Sequence, residues 1–227
     1  MKKILTILAA TMTITSVSFA SPLTNYTEGQ VSIDLNPNIS SDSSKEQVAG
    51  AITYGVNNKL AVQYKHADNK TKNYFYIEEV TPWSYENKFG HAQLIAYEIN
   101  VLYQIDHNIA AYAGWAKETA KMNWFYNAGS SSSNITYSES GSNKKSQNSF
   151  QLGLVGQTHF TEGLTGWASI GAGSNIMSYE VGLGYDITKN TECNVFYRYN
   201  KYKGFNFDDG AIDVTIQGLG AGITLKF

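Results

Sequence analysis

The chain has 227 residues, of which 13% are aromatic and only 16% are charged, and its formal net charge is −2. A charge so close to neutral gives no support for nucleic-acid binding. The single cysteine, Cys193, excludes an intramolecular disulfide. After residue 20 no stretch offers the roughly 20 apolar residues that a transmembrane helix needs, so a helical membrane protein is excluded.

The N-terminus has the pattern of an export signal. Lys2 and Lys3 form a basic start, and residues 4–17 are mostly apolar. Ser18-Phe19-Ala20 fits the small-x-small rule for cleavage by signal peptidase. We therefore predict a cleaved signal peptide over residues 1–20 and one mature domain over residues 21–227, with Ser21 as its first residue.

From residue 30 onward the chain consists of about ten segments in which apolar and polar residues alternate, as in strands with one apolar face. The predicted strands are 30–35, 48–56, 60–67, 92–105, 109–118, 149–157, 164–171, 175–187, 193–202 and 213–227. The apolar row of the fourth strand comprises Ile95, Tyr97, Ile99, Val101, Tyr103 and Ile105. Its other row comprises Ala96, Glu98, Asn100 and Gln104. The faces of the fifth strand are not assigned, because small residues occupy both of its rows.

The connections alternate in length along the chain. Residues 57–59, 106–108, 161–163 and 188–191 make short turns, whereas 36–47, 68–91, 119–148 and 204–212 make longer loops. The connection 172–174 is a short exception on the long-loop side. Short turns at one end and long loops at the other are typical of bacterial outer-membrane barrels. We predict that 117–148 is an outer loop and that 73–80 extends a hairpin above the membrane.

The C-terminus is an amphipathic strand that ends on an aromatic residue. Leu219, Ala221, Ile223, Leu225 and Phe227 lie on one face of it, because strand side chains alternate with period two. With the export signal, this terminal strand resembles the small porin-like outer-membrane β-barrel superfamily (the outer membrane protein β-barrel domain). The resemblance covers the architecture of nearly the whole mature chain.

The resemblance implies an all-β fold, a transmembrane antiparallel up-and-down β-barrel of about ten strands, with eight also possible. It implies location in the cell outer membrane, in contact with outer-membrane lipid. In that superfamily the barrel-assembly machinery is thought to read the terminal strand, here Phe227 with Leu225 and Ile223.

The main alternative is a soluble β-sandwich or a lipocalin-like barrel, which would hold bulky apolar side chains inside. The row opposite the apolar one holds Gln, Asn, Glu, Ser, Lys and several glycines instead. Gly182, Gly184, Gly220 and Gly222 cannot fill a soluble core. The pattern therefore favours a membrane barrel, whose lipid-facing residues are apolar.

Charged residues on the predicted inner rows are the candidate site residues. They include Glu180, Arg198, Glu98 and Lys65. A short turn between the eighth and ninth strands would place Glu180 opposite Arg198, and buried charges need partners. We interpret the pair as structural rather than as a functional gate.

Three functions are compatible with this pattern. The first is a porin-like or structural barrel with a narrow polar lumen and surface-exposed loops. The second is a surface adhesin or receptor that binds an unidentified ligand through its loops. The third is a barrel-embedded hydrolase, either omptin-like or a lipid deacylase. Candidates for the omptin-like case are Asp208, Asp209, Asp213, His66 and His91, whose spacing matches no catalytic motif. We assign no catalytic residue, metal site or cofactor.

Overall fold

The computed structural model describes residues 13–14, 26–37, 44–71, 74–81, 84–130, 135–207 and 210–227. They form an all-β fold whose strands lengthen toward the middle of the chain. In chain order the strands are β1 (Thr13–Ile14), β2 (Val31–Pro37), β3 (Ser44–Gly55), β4 (Leu60–Thr71), β5 (Tyr74–Thr81), β6 (Ser84–Asp106), β7 (Ile109–Ser130), β8 (Ile135–Thr161), β9 (Leu164–Gly173), β10 (Ile176–Thr188), β11 (Thr191–Phe207) and β12 (Gly210–Lys226).

Ten strands, β2–β4 and β6–β12, form a closed antiparallel ring in which each strand pairs with its neighbours in sequence. The ring closes where Ile223–Lys226 of β12 pair with Ser32–Leu35 of β2. Just below, Val31 and Phe227 exchange two backbone hydrogen bonds, of 3.0 and 2.8 Å. The predicted ten-stranded up-and-down barrel is confirmed. The two residues of β1 pair in parallel with Thr215 and Ile216 of β12.

The two ends of the barrel differ. At one end, tight turns join β3 to β4, β6 to β7, β8 to β9 and β10 to β11, and the barrel closes there at Val31 and Phe227. At the other end the strands project unequally, and β6, β7 and β8 reach 23, 22 and 27 residues. Such strands greatly exceed the 9–11 residues or so that cross a bilayer. We call this second end the extracellular end.

The extracellular ends of β7 and β8 form a paired ribbon over the described part of 117–148, which corrects the prediction that this segment is an outer loop. Residues 117–130 pair with residues 135–148 in unbroken register. Residues 135–148 lack an apolar row and are mostly Ser, Asn, Lys and Gly. Backbone hydrogen bonding therefore extends β8 where its hydrophobic alternation has ended. The predicted hairpin extension at 73–80 corresponds to β5, which pairs with β6.

The barrel exterior carries a continuous apolar band. On β6 the exposed side chains are Tyr97, Ile99, Val101, Tyr103 and Ile105, and on β10 they are Met177, Tyr179, Val181, Leu183, Tyr185 and Ile187. Tyr179 and Tyr199 stack with their ring centroids 4.9 Å apart at the extracellular edge of the band. Exposed apolar rows bordered by aromatic rings indicate a lipid-facing surface, and the chain is an outer-membrane β-barrel. Across the described residues, no helix is long and apolar enough to cross a membrane.

Candidate functional site

Two oppositely charged side chains meet inside the barrel. Glu180 of β10 and Arg198 of β11 are direct register partners, and Nε of Arg198 donates a hydrogen bond to Oε2 of Glu180. The Glu180 side chain is 10% exposed and that of Arg198 only 4%. Burying the two charges together compensates each of them, whereas either one alone would be costly to bury.

A hydrogen-bonded amide cluster lies on the inner rows of β6 and β8. Oε2 of Glu98 accepts a hydrogen bond of 3.0 Å from Nε2 of Gln151, which also donates to Oδ1 of Asn100 over 2.8 Å. Lys65 is the register partner of Glu98 on β4. The four charged residues proposed from sequence thus lie in two places, each a pair of directly opposed residues on neighbouring strands.

Further charged residues, which were not predicted as site residues from the sequence, also face inward. Glu118 of β7 is fully buried, and its Oε2 accepts a hydrogen bond of 3.1 Å from Oγ of Ser149. Near the short-turn end, Nζ of Lys226 lies 2.8 Å from Oε2 of Glu192 and 3.3 Å from Oδ1 of Asp186. Glu118 was missed because alanine and glycine occupy both rows of β7 and conceal its alternation.

Two aromatic rings are buried in the lumen at the level of the membrane. Trp167 and Phe196 are each 3% exposed, with ring centroids 6.4 Å apart. The Trp167 ring lies across Gly182, where an added Cβ would be 2.6 Å from Cζ2, and the Phe196 ring lies across Gly220. Glycine is required at these two positions because the rings occupy the space that any side chain would need.

The polarity of the barrel inverts along β12. In the half near the short turns, Leu219, Ala221, Ile223 and Leu225 face outward and glycines face the lumen. In the extracellular half, the inward positions hold buried Ile212, Val214 and Ile216, and the outward positions hold Asp213, Thr215 and Gln217. The change follows the solvent, because water rather than lipid surrounds the barrel beyond the apolar band.

The inverted segment encloses an apolar cluster at the extracellular end of the lumen. Its members come from β6, β7, β10, β11 and β12, and include Leu94, Met122, Ile176, Tyr202, Phe205, Phe207, Ile212, Val214 and Ile216. The prediction of a polar lumen is therefore wrong at this end. A barrel segment surrounded by water is stabilised by burying apolar side chains in its interior, as in a soluble protein. The lipid-embedded part instead places its apolar side chains against the lipid.

The predicted assembly residues lie on the barrel surface at the short-turn end. The Phe227 side chain is 67% exposed, and its backbone provides the two hydrogen bonds to Val31. Ile223 and Leu225 are register partners of Leu35 and Ile33 on β2. All three residues thus belong to the seam between the last strand and the first.

Three of the residues weighed for catalysis are described, and they lie on three different strands: His66 on β4, His91 on β6 and Asp213 on β12. Asp208 and Asp209 lie outside the described residues. Asp213 accepts an ion-paired hydrogen bond of 2.9 Å from Nζ of Lys201, which holds the pKa of the Asp213 carboxyl below its usual range. His91 bonds to Asn123 over 2.9 Å, and His66 stacks on Tyr97.

Beyond the membrane, β5, β6, β7 and β8 continue as a four-stranded antiparallel sheet. The face continuous with the lumen carries aromatic side chains at successive positions. Tyr126 and Tyr137 make an edge contact with centroids 6.1 Å apart, and the Trp124 ring covers Gly141. The Tyr137 hydroxyl donates to Oε2 of Glu139 over 3.1 Å. Tyr137 remains 54% exposed. The sheet thus presents a partly exposed aromatic surface to the medium.

No family model matches the chain, and no curated protein matches it. Solved structures with a similar fold include the attachment invasion locus protein Ail of Yersinia pestis in complex with the heparin analogue sucrose octasulfate, at 14% identity and a TM-score of 0.44, covering 88% of this chain and 100% of that one. The outer membrane protease OmpT of Escherichia coli is 12% identical with a TM-score of 0.48, covering 93% and 99%. The Pseudomonas putida toluene transporter TodX is 11% identical with a TM-score of 0.40, covering 93% and 76%. Likenesses this distant transfer no activity to the chain.

Proposed function

We propose that this outer-membrane β-barrel is a surface recognition protein, in which the barrel is the anchor and the extracellular sheet of β5–β8 binds a partner. The observation that carries the proposal is the length and continuity of that sheet. β7 and β8 stay paired in unbroken register up to Ser130 and Ile135. Flexible loops would suffice to connect barrel strands, whereas a rigid sheet displays side chains in a defined arrangement.

The filled lumen supports an anchoring role. Trp167 and Phe196 are buried inside the membrane-level part, and the apolar cluster is buried inside the extracellular end. Side chains just fill a barrel of about eight strands, whereas porins of 16–18 strands enclose an aqueous channel. The porin-like alternative needs a solute path past these rings, so it is the less favoured function.

The aromatic face of the sheet is suited to binding. Tyrosine and tryptophan provide large contact areas at a low cost in conformational entropy, and their polar groups can hydrogen-bond at the same time. Trp124, Tyr126 and Tyr137 combine these properties on one surface. The binding role requires no catalysis.

Adhesion of bacteria that display the chain tests the proposal. A strain without adhesins would express the wild type, a truncation with residues 123–142 replaced by Asn-Gly, or a triple variant, Trp124→Ala/Tyr126→Ala/Tyr137→Ala. We expect the wild type to confer adhesion to epithelial monolayers and both variants to lose it. The matched control, Asn127→Ala/Ser138→Ala, changes a register pair on the opposite face of the ribbon and should adhere like the wild type.

Conductance measured on the refolded wild type separates the alternatives. The proposal expects no stable single-channel conductance in planar bilayers. A steady conductance together with absent adhesion would instead establish the porin-like role. Equal adhesion by the wild type and the triple variant would exclude the aromatic face as the binding surface.

A further inference from the structure

A cleft of about 480 Å³ lies on the outward face of β4, β6, β7 and β8, where the apolar band meets the extracellular sheet. Its membrane side is lined by apolar and aromatic side chains, namely Tyr64, Ile95, Tyr97, Ile99 and Trp115. Its extracellular side is lined by lysines and hydroxyl residues, namely Lys117, Thr119, Lys121, Lys144 and Ser146. The cleft is thus divided into an apolar part at membrane depth and a basic part above it.

The basic part concentrates positive charge without internal compensation. Lys121 of β7 and Lys144 of β8 are direct register partners. Lys117 lies on the same outward row of β7 as Lys121, two outward positions closer to the membrane. Like charges directly opposite each other on a sheet destabilise it. Among the described residues, no carboxylate forms an ion pair with any of these three lysines. Such an arrangement is stabilised when an anion binds between the ammonium groups.

Polar groups around the lysines are arranged to accept such an anion. The Thr119 and Ser146 hydroxyls, on the row between Lys117 and Lys121, are 2.9 Å apart and occupy the centre of the basic part. On β4, two strands from β7, Asp68 accepts a hydrogen bond of 2.7 Å from Nε2 of Gln93. The centre of the cleft therefore offers hydroxyl and ammonium donors together.

We propose that this cleft binds a phosphorylated lipid of the outer leaflet. The phosphate would lie between Lys117, Lys121 and Lys144, and the acyl chains would lie against Ile95, Ile99 and Trp115. A lipid is the occupant that matches both parts, because only a lipid places an anionic group directly above apolar chains at this depth. Basic residues at a membrane surface attract anionic headgroups.

Native mass spectrometry of the folded full chain in neutral detergent micelles tests the proposal. The probes are a bisphosphorylated, acylated glucosamine disaccharide, the same lipid after phosphatase treatment, and inorganic phosphate. We expect the wild type to retain one phosphorylated lipid. Lys121→Gln/Lys144→Gln should weaken its binding about tenfold or more, as the loss of two surface charges predicts. The dephosphorylated lipid should bind the wild type as weakly as the phosphorylated lipid binds this variant.

The matched control is Lys59→Gln/Lys189→Gln, which removes the same charge from two exposed turns at the opposite end of the barrel. It should bind the lipid like the wild type, and all variants should show the mobility of folded barrels in unheated gels. Equal lipid binding by the wild type and Lys121→Gln/Lys144→Gln would overturn the proposal, as would absence of binding to the wild type. Competition by inorganic phosphate at concentrations near that of the lipid would reduce the site to a simple anion site and also overturn it.

Discussion

Arg198 places a positive charge in the lumen, where Glu180 on the neighbouring strand compensates it. Removing one partner of a buried pair costs about 3–5 kcal/mol, because the other charge is left uncompensated. We expect Arg198→Ala to lower the free energy of unfolding by an amount at or below the lower end of this range, since the lumen is lined by other polar groups. Urea unfolding of the refolded barrel measures the loss.

A second substitution, at Glu180, tests whether the two charges are coupled. Adding Glu180→Gln to Arg198→Ala should recover part of the loss, because the two residues are coupled neighbours. Lys203→Ala is a control on the same strand, since the Lys203 side chain is exposed, and it should leave the midpoint nearly unchanged. Simple additivity of the Glu180 and Arg198 substitutions would mean that the pair does not contribute to stability.

At the scale of single strands, β12 reverses its polarity along its length. Its outward side chains are apolar near the short turns and polar in the extracellular half. Val214→Ser with Ile216→Ser should destabilise the barrel by about 3 kcal/mol or more, because both side chains are almost fully buried in the extracellular apolar cluster. Thr215→Ser with Gln217→Ser changes the adjacent outward positions and should shift stability by only about 0.5 kcal/mol. Equal effects in the two double variants, measured by urea unfolding, would contradict the inversion.

Two changes at the end of β12 distinguish a role in assembly from a role in stability. Phe227→Ala keeps both backbone hydrogen bonds to Val31 and removes only a side chain on the barrel surface, whereas deletion of Phe227 removes the bonds as well. We expect both variants to reach the outer membrane poorly, because each lacks the terminal aromatic ring. Once refolded in detergent, only the deletion should show a lower unfolding midpoint.

Quantitative surface labelling of cells measures the first effect, and urea unfolding measures the second. Phe160→Ala, which removes another exposed aromatic side chain at the short-turn end, is the control for loss of lipid contact. Normal surface levels of Phe227→Ala would show that the terminal ring is not an assembly signal in this chain.

At the scale of the whole molecule, the pairing of β12 with β2 closes the ring of ten strands. A closed barrel has no free edge at membrane level from which detergent can unravel it. We expect unheated samples in a dodecyl sulfate gel to migrate differently from boiled ones. Identical migration of the two samples, after refolding verified by circular dichroism, would argue against closure.

Several features of the fold follow from local sequence alone. The number of membrane strands, the faces of β6, β10 and β12 near the short turns, and the positions of the tight turns were all predictable. Each depends on the two-residue period of a strand and on the residues that favour turns. The predicted positions of Glu180 and Arg198 on inward-facing rows follow from the same period.

Other features were decided by the tertiary structure. Residues 135–148 of the ribbon are mostly Ser, Asn, Lys and Gly and carry no apolar row, so only their backbone pairing with residues 117–130 reveals them as a strand. The partners of Glu118 and Lys226, namely Ser149 and Glu192, lie diagonally across from them on the adjacent strand, so these contacts depend on the register of each strand pair. Period two assigns Val214 and Leu219 to opposite faces of β12, but it does not say which face is buried. That depends on whether lipid or water surrounds the barrel at each level, and only the assembled barrel determines where that boundary falls.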